Sequence, residues 1–349
     1  MRDAWSAGQR ITAALAEKLD AQQAQAANGN VWTDVAMLLN FVSSSALTTR
    51  AHCAGWYPAS GSNLTGQWIT TGVSAGNATA SYSRAGLTWT SLTIPAGNGL
   101  TPGPYAFAAK ADGTIGVFGG TPGSSSASKY RESTDLTTWT ARSSSQTDTA
   151  GVTSIAWMPF ASGGTGLFVA GHTSGKLETS PDAQTWTNRT TPFGAVSIGQ
   201  VAVNSTTAVV VAINSTAAAY STNGTTWTSA TLPITGSGAV VWNSVLNKFF
   251  AFGTTGATIC SSSDGITWSA TGLTGPGGLA TTSYAVSSGR LLLSSPGQTG
   301  VLAYSTDAIN WKYSEALGIT APTVIAVSND GQLLCKDASS VHIVSLRSY

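Results

Sequence analysis

One eight-residue segment recurs six times in this chain: SRAGLTWT ending at Thr90, STDLTTWT at Thr140, SPDAQTWT at Thr187, STNGTTWT at Thr228, SSDGITWS at Ser269 and STDAINWK at Lys312. Its tryptophans, Trp89, Trp139, Trp186, Trp227, Trp268 and Trp311, are 50, 47, 41, 41 and 43 residues apart. That spacing is the length of one supersecondary unit, so the repeat overrides any domain count taken from chain length. Each copy opens with a serine (Ser83, Ser133, Ser180, Ser221, Ser262, Ser305). Two places on stands Asp135, Asp182, Asn223, Asp264 or Asp307, with Ala85 the exception. These residue types make a β-turn between strands: Asp or Asn accepts backbone N–H bonds two or three positions on, and Gly86, Gly224 and Gly265 supply a positive φ. The tryptophan then anchors its unit, burying about 150–250 Å² against neighbouring strands.

A second feature lies upstream of the boxes, where two short apolar runs flank a turn, the pattern of an antiparallel hairpin. It occurs seven times, at 54–72, 105–120, 155–171, 201–214, 240–253, 284–295 and 325–336. The box itself resembles the S-x-D-x-G-x-T-W Asp-box, or BNR, repeat of sialidase-like β-propellers. That resemblance implies an all-β propeller of four-stranded antiparallel blades, with the boxes on outer turns away from the central cleft. The box Ser, Asp and Trp residues are then structural, not catalytic. Seven hairpins against six boxes favour seven blades over six, and leave the last unit, which ends in VHIVSL, short of an outer strand. The resemblance implies that an N-terminal strand completes it. The run Asn28 to Thr33 (NGNVWT) echoes Asn223 to Thr228 (NGTTWT), although Trp32 reads equally well as the start of an apolar helix over 34–42.

Residues 1–45 differ from the propeller segment 46–349. Positions 11–27 contain no Gly or Pro and set Ile11, Ala14, Leu15, Lys18 and Leu19 on one stripe, which predicts an amphipathic helix of two to four turns. A helix that short needs a partner surface. The opening W-x-x-G-Q-R-I-T-A, from Trp5 to Ala13, resembles the start of minor tail and other virion proteins of actinobacterial siphophages. Met1 to Arg10 lacks the apolar core of a secretory signal, which fits a virion protein released by lysis.

Composition removes other classes. Only 9% of residues are charged and the net charge is +1, so no basic face exists for phosphate neutralisation and no nucleic-acid role is expected. The longest apolar stretch, Val35 to Val42, is broken by Asn40 and is far below the ~20 residues a bilayer requires, so no membrane insertion is expected. With 42% hydrophobic residues and 12 Trp the chain has ample apolar area to fold. Cys53, Cys260 and Cys335 are too widely spaced for paired metal ligands or a disulfide framework and read as small buried hydrophobes. His52, His172 and His342 sit in different units without ligand spacing, and read as surface or strand residues; no metal and no cofactor is expected.

Catalysis finds little support. The family's sialidases hold a substrate carboxylate with three Arg on inner strands and use a Tyr with a Glu or Asp. Here Arg84 and Arg131 fall at boxes, and Arg142 and Arg189 just after Trp139 and Trp186. Only four Glu occur, and Asp112 and Asp330 precede Gly in turn-like contexts. Gly72 to Gly76 matches G-x-S-x-G but joins two strands rather than a strand and a helix. Trp157 and Trp242 share one repeat position and read as core, while Trp56 with Tyr57 is the candidate glycan-stacking platform. The sequence therefore leads to a non-enzymatic virion structural protein of minor tail, tail-tip, fibre or decoration type. Residues 1–45 would bind other virion proteins, the particle would carry it as a homo-oligomer, and the propeller would meet a host-surface glycan or receptor. The alternative is a secreted carbohydrate-active enzyme or lectin.

Overall fold

Each hairpin folds as two antiparallel strands, and each described box as the turn between a third strand and a fourth, so the chain lays down four-stranded sheets one after another. In the computed structural model the described residues are 42–43, 50–57, 67–74, 77–83, 90–92, 100–122, 128–159, 164–215, 217–234, 236–253, 258–274, 285–288, 291–294, 302–305, 307–313, 323–327, 332–336 and 341–345. Among them the strands pair into seven antiparallel four-stranded sheets. The first sheet is β2 (Arg50–Tyr57), β3 (Gln67–Ser74), β4 (Asn77–Ser83) and β5 (Thr90–Leu92). The second is β6 (Leu100–Ala109), β7 (Gly116–Pro122), β8 (Tyr130–Ser133) and β9 (Thr140–Arg142). The third is β10 (Val152–Met158), β11 (Leu167–His172), β12 (Leu177–Ser180) and β13 (Thr187–Arg189). The fourth is β14 (Ile198–Val203), β15 (Val210–Asn214), β16 (Ala218–Ser221) and β17 (Thr228–Ala230). The fifth is β18 (Ser237–Asn243), β19 (Lys248–Gly253), β20 (Thr258–Ser262) and β21 (Ser269–Thr274). The sixth is β22 (Ala285–Ser288), β23 (Leu291–Ser294), β24 (Ala303–Ser305) and β25 (Lys312–Tyr313). The last joins β26 (Thr323–Val327), β27 (Gln332–Lys336) and β28 (Val341–Ser345) to β1 (Val42–Ser43). First strands touch one another in order, and β26 touches β2, so they form a closed circuit with the box-bearing strands outside it.

The strand that completes the last sheet comes from the N-terminal region, but not from the segment that echoes a box. Val42 pairs with Ile343 and Ser43 with His342. The closing strand thus follows Trp32 by ten residues, and Val42, the end of the alternative helix over 34–42, is extended. Backbone pairing needs no tryptophan, so the described closing strand carries none of the residues of the Asn28 to Thr33 echo, which lies outside the described residues. The helix expected at 11–27 and Trp32 itself lie outside the described residues.

Neighbouring sheets approach closely, and side-chain size is set by that approach. A methyl group added at Gly119 would stand 2.5 Å from Val152 Cγ1, and one at Gly171 would stand 2.6 Å from Ile198 Cγ2. Both glycines occupy the same place on a second strand, facing the first strand of the next sheet. Six of the described first strands also carry a one-residue bulge at a common position, adding His52, Tyr105, Thr153, Gly199, Gly238 and Ile325. Bulges increase local twist, as a strand crowded at the centre of a ring requires. The bulge residue Thr153 donates to Ile198 O (2.7 Å), and beside it Ser154 Oγ accepts from Val201 N (3.1 Å), tying the third sheet to the fourth.

The box tryptophans sit between sheets. Trp139 clusters with Ile69 and Ala80 of the first sheet, Trp186 with Val117 and Tyr130 of the second, and Trp227 with Met158, Val169 and Leu177 of the third. Trp268 packs with Val211 and Ala218 of the fourth sheet, and Trp311 stands edge-on to Phe252 of the fifth. Each of these indoles therefore belongs to the interface with the preceding sheet, not only to the outer part of its own unit. The turn aims it: in the third copy Asp182 Oδ1 accepts from Gln184 N (2.9 Å) and Thr185 N (3.1 Å), and Trp186 Nε1 donates to Ala183 O (3.1 Å). The positive φ is general to the turn and not confined to glycine, since Leu136 (61°), Ala183 (59°) and Ala308 (61°) adopt it beside Gly224 (72°) and Gly265 (76°).

Trp227→Ala empties an interface between two sheets and costs roughly 3–5 kcal/mol. Asp264→Ala removes turn hydrogen bonds that water replaces in part, and costs about 1–2 kcal/mol. Denaturant melts of the two variants beside wild type check the order; equal losses would show that the turn, not the indole, carries the stability.

Candidate functional site

Where one junction departs from the repeat, the departure is polar. Three residues before the box serine stand Leu177, Ala218, Ile259 and Leu302 in the later sheets, but the second sheet has Tyr130. Two residues before it stand Ala219, Cys260 and Ala303 in the later sheets, but the third sheet has Glu178. His172 ends β11 where Asn214 ends β15. The junction of the second and third sheets brings all three together, each fully buried.

Tyr130 Oη donates to Glu178 Oε2 (2.7 Å), and His172 Nε2 lies 3.0 Å from both the phenol and that carboxylate oxygen. The segment linking β9 to β10 supplies the rest: Ser144 Oγ donates to Oε2 (2.8 Å), while Ser145 donates to Oε1 through N (2.7 Å) and Oγ (2.6 Å). Trp186 stacks on the Tyr130 ring, centroids 3.8 Å apart and planes 5° from parallel. Burial alone would raise the Glu178 carboxyl, but its hydrogen bonds with His172, Ser145 and Tyr130 and the charge of His172 outweigh that and hold it at about 2. Burial, with the Glu178 charge beside it, pushes the Tyr130 phenol well above its ordinary value. Next to this core, buried Lys129 donates to Asp148 Oδ1 (2.6 Å), and Lys176 reaches Asp148 Oδ2 (3.4 Å) and Gln146 Oε1 (2.7 Å).

A phenol, an imidazole and a carboxylate within 3.0 Å form a constellation able to relay a proton. Here the three groups are enclosed and turned toward one another and toward the 143–151 segment. The arrangement buries the Glu178 carboxylate inside an interface and clamps the crossover between two sheets. Among the described residues no group of three or more His, Cys, Asp or Glu has the arrangement of a metal site.

His172 is a strand residue, the last of β11, as one of the two readings had it, but it is buried and has a carboxylate six residues on as its neighbour through the tight β11–β12 turn. Aligning the boxes gives only a faint signal for it, because the place two before the serine holds Ser81, Arg131, Glu178, Ala219, Cys260 and Ala303. The other sequence candidates sort cleanly. Ser133 with Asp135, Ser180 with Asp182, Ser221 with Asn223, Ser262 with Asp264 and Ser305 with Asp307 each pair by a serine-to-Oδ1 bond inside their turn. Ser83 ends β4, while Ala85 and Trp89 lie outside the described residues. Trp56 pairs with Trp68 across the first hairpin, at the position that Trp157 and Trp242 occupy in theirs. Those two pack on Phe168 and Phe249, each at 4.7 Å, and are half-buried at the margin of the core rather than inside it. The side chains of Trp56 and Tyr57 lie outside the described residues. Arg142 is held by Glu132 and Arg189 by Thr179, both on outer strands. Burial pushes the Cys260 thiol up to about 12, in keeping with a small hydrophobe.

No family model and no curated protein matches this chain. Solved structures do. Virginiamycin B lyase from Staphylococcus aureus aligns over 88% of this chain and 98% of its own, with a TM-score of 0.70 and 12% identity. A catalytically inactive variant of that lyase with quinupristin gives a TM-score of 0.69 at 12% identity, covering 88% of this chain and 99% of its own. YCF48 bound to D1 peptide gives 0.64 at 14% identity, covering 89% and 95%. The chain folds as a β-propeller. Its blades are four-stranded and antiparallel, and the Tyr130–His172–Glu178 cluster lies between two of them, away from the inner strands that ring the propeller axis.

Glu178→Gln removes the interface charge and leaves His172 and Tyr130 without it, costing about 3 kcal/mol at neutral pH. Because the folded carboxyl sits at about 2 against an ordinary 4.5, the stability it contributes is complete above 4.5 and fades as pH falls toward 2. Stability measured across that acid range should therefore fall less steeply in the variant; parallel curves would show that Glu178 is not the group responsible.

Proposed function

We propose that this chain is a non-enzymatic virion structural protein: a seven-bladed propeller closed by β1 and carried on the particle by the residues before it. The observation that carries this reading is the placement of β1. β1 is the edge strand of its sheet, on the side away from the inner strand β26, so an anchor formed by the residues before it would reach other virion proteins without crossing the axis. The enclosed Tyr130–His172–Glu178 cluster supports a structural role, because its reactive atoms are committed to one another. Several copies on a particle would present the propeller to a host-surface glycan or receptor after lysis. A fold shared by a lyase and by a protein bound to a peptide is compatible with surface recognition.

The rival reading is a secreted carbohydrate-active enzyme or lectin. What favours it is the place of Trp56 and Tyr57 at the tip of the first hairpin. Turnover of a glycoside panel, or glycan-array binding lost in Trp56→Ala, would decide for it.

Two truncations test the anchor. Removing residues 1–41 should leave a propeller that melts like the full chain yet no longer enters particles. Removing 1–45 takes β1 as well and should lower the melting temperature. Normal particle incorporation of the first truncation would overturn the anchor; equal melting of the two would overturn closure by β1.

A further inference from the structure

The box turn of the fourth sheet has Asn223 where the other described boxes have Asp, and Gly224 follows it. Asn-Gly is the dipeptide in which a backbone nitrogen reaches a side-chain amide with least hindrance, because glycine has no side chain. The Gly224 nitrogen, once deprotonated, attacks Asn223 Cγ and expels ammonia, closing a succinimide. Water then opens the ring at either carbonyl, giving Asp, or isoAsp with the main chain routed through Cγ. The balance is one water in and one ammonia out, with no redox change.

In the folded turn both reacting groups are held. Gly224 N donates to Ser221 Oγ (2.9 Å), which holds its hydrogen and turns the nitrogen away from the attack. Asn223 Oδ1 accepts from Thr225 N (2.8 Å), Thr226 N (2.9 Å) and Ser221 Oγ (3.1 Å), which fixes the amide plane. The next blade shows what Asp would meet in the same place. Asp264 Oδ1 accepts from Ile266 N (2.8 Å), Thr267 N (2.9 Å) and Ser262 Oγ (2.8 Å), and Gly265 N donates to Ser262 Oγ (2.8 Å). The two glycines share their φ, 72° and 76°. Bonds from N–H to an ionised oxygen are stronger than those to a neutral amide. IsoAsp, by contrast, adds a backbone carbon inside the turn and displaces the Asn223 bonds that fix the turn before Trp227.

We propose that Asn223-Gly224 is a deamidation site gated by its own box turn: protected while the turn is closed, converted when it opens, and with Asp as a product the turn accepts in place of Asn. Conversion to Asp adds one negative charge to a chain whose net charge is +1, and turns the one described Asn box into the common form. Conversion to isoAsp instead loosens the interface that Trp227 fills.

The full chain is incubated in mildly alkaline buffer, native or in guanidinium, and the 190–248 tryptic peptide is followed by the mass gain of amide-to-acid conversion and by isoAsp-specific methylation. Native protein should convert at least roughly tenfold more slowly than unfolded chain, the protection that turn opening confers. Ser221→Ala, kept folded, should convert several-fold faster than native wild type, and Asn223→Asp should melt at or above wild type. Equal native and unfolded rates, an unchanged rate in Ser221→Ala, or a lower melting temperature for Asn223→Asp would each overturn the proposal.

Discussion

The indole of each described box is what makes separate sheets into one ring. A four-stranded sheet has two faces, and in a ring both must be covered by neighbours. The turn between third and fourth strands reaches back to supply part of that cover. Its geometry is costly in one respect: an L-residue at positive φ is disfavoured by about 1–2 kcal/mol. Leu136, Ala183 and Ala308 nevertheless stand there, each buried, so that burying the side chain offsets the strain. Gly265 cannot be exchanged in the same way, because a methyl group there would stand 2.8 Å from Val211 Cγ2 of the preceding blade. The turn residue is thus chosen by what the neighbouring blade leaves room for.

The polar junction follows from the same interface by a chain of necessities. Tyr130 takes the place of an aliphatic residue beneath Trp186 and gains a stacked ring, but its hydroxyl then lies inside a dry interface. A buried hydroxyl without a partner costs about 1–3 kcal/mol. Glu178 provides the partner, and its charge in turn requires donors, which His172 and the serines of the 143–151 segment supply. A segment that would otherwise be an ordinary surface crossover is in this way fixed at both ends, by Glu178 and by the paired Gly151 and Thr173 backbones.

What the sequence disclosed was what local chemistry dictates. Box turns and hairpins repeat because the same turn needs the same residues, so aligning them was enough to place the strands around each. The closing strand was not legible, because two residues joined by backbone bonds leave no side-chain signature, whereas the Asn28 to Thr33 echo drew attention by its box-like residues. Size complementarity between blades was present but unread: Gly119 and Gly171 face Val152 and Ile198, while the fourth blade has Ile213 at that position and the next first strand has Ser237. Only the pairing of blades shows that these columns belong together. His172 and Glu178 were hidden for a similar reason, since a motif search looks along the chain and their meaning lies across a junction.

A ring of near-equal units has a difficulty that a unique fold does not: each blade presents a face that its wrong neighbours could also accept. Apolar columns such as Ala219, Cys260 and Ala303 discriminate little between partners. Glu178 discriminates strongly, because against any blade lacking Tyr130 and the serines of the preceding crossover its carboxylate would keep only His172 of its own blade and lose its other donors. An uncompensated buried charge costs several kcal/mol, while the satisfied one contributes little net stability. Specificity of this kind comes from the penalty on the wrong pairing more than from the gain in the right one. One such junction suffices to set the phase of the whole ring, since the remaining blades are ordered by the chain that connects them.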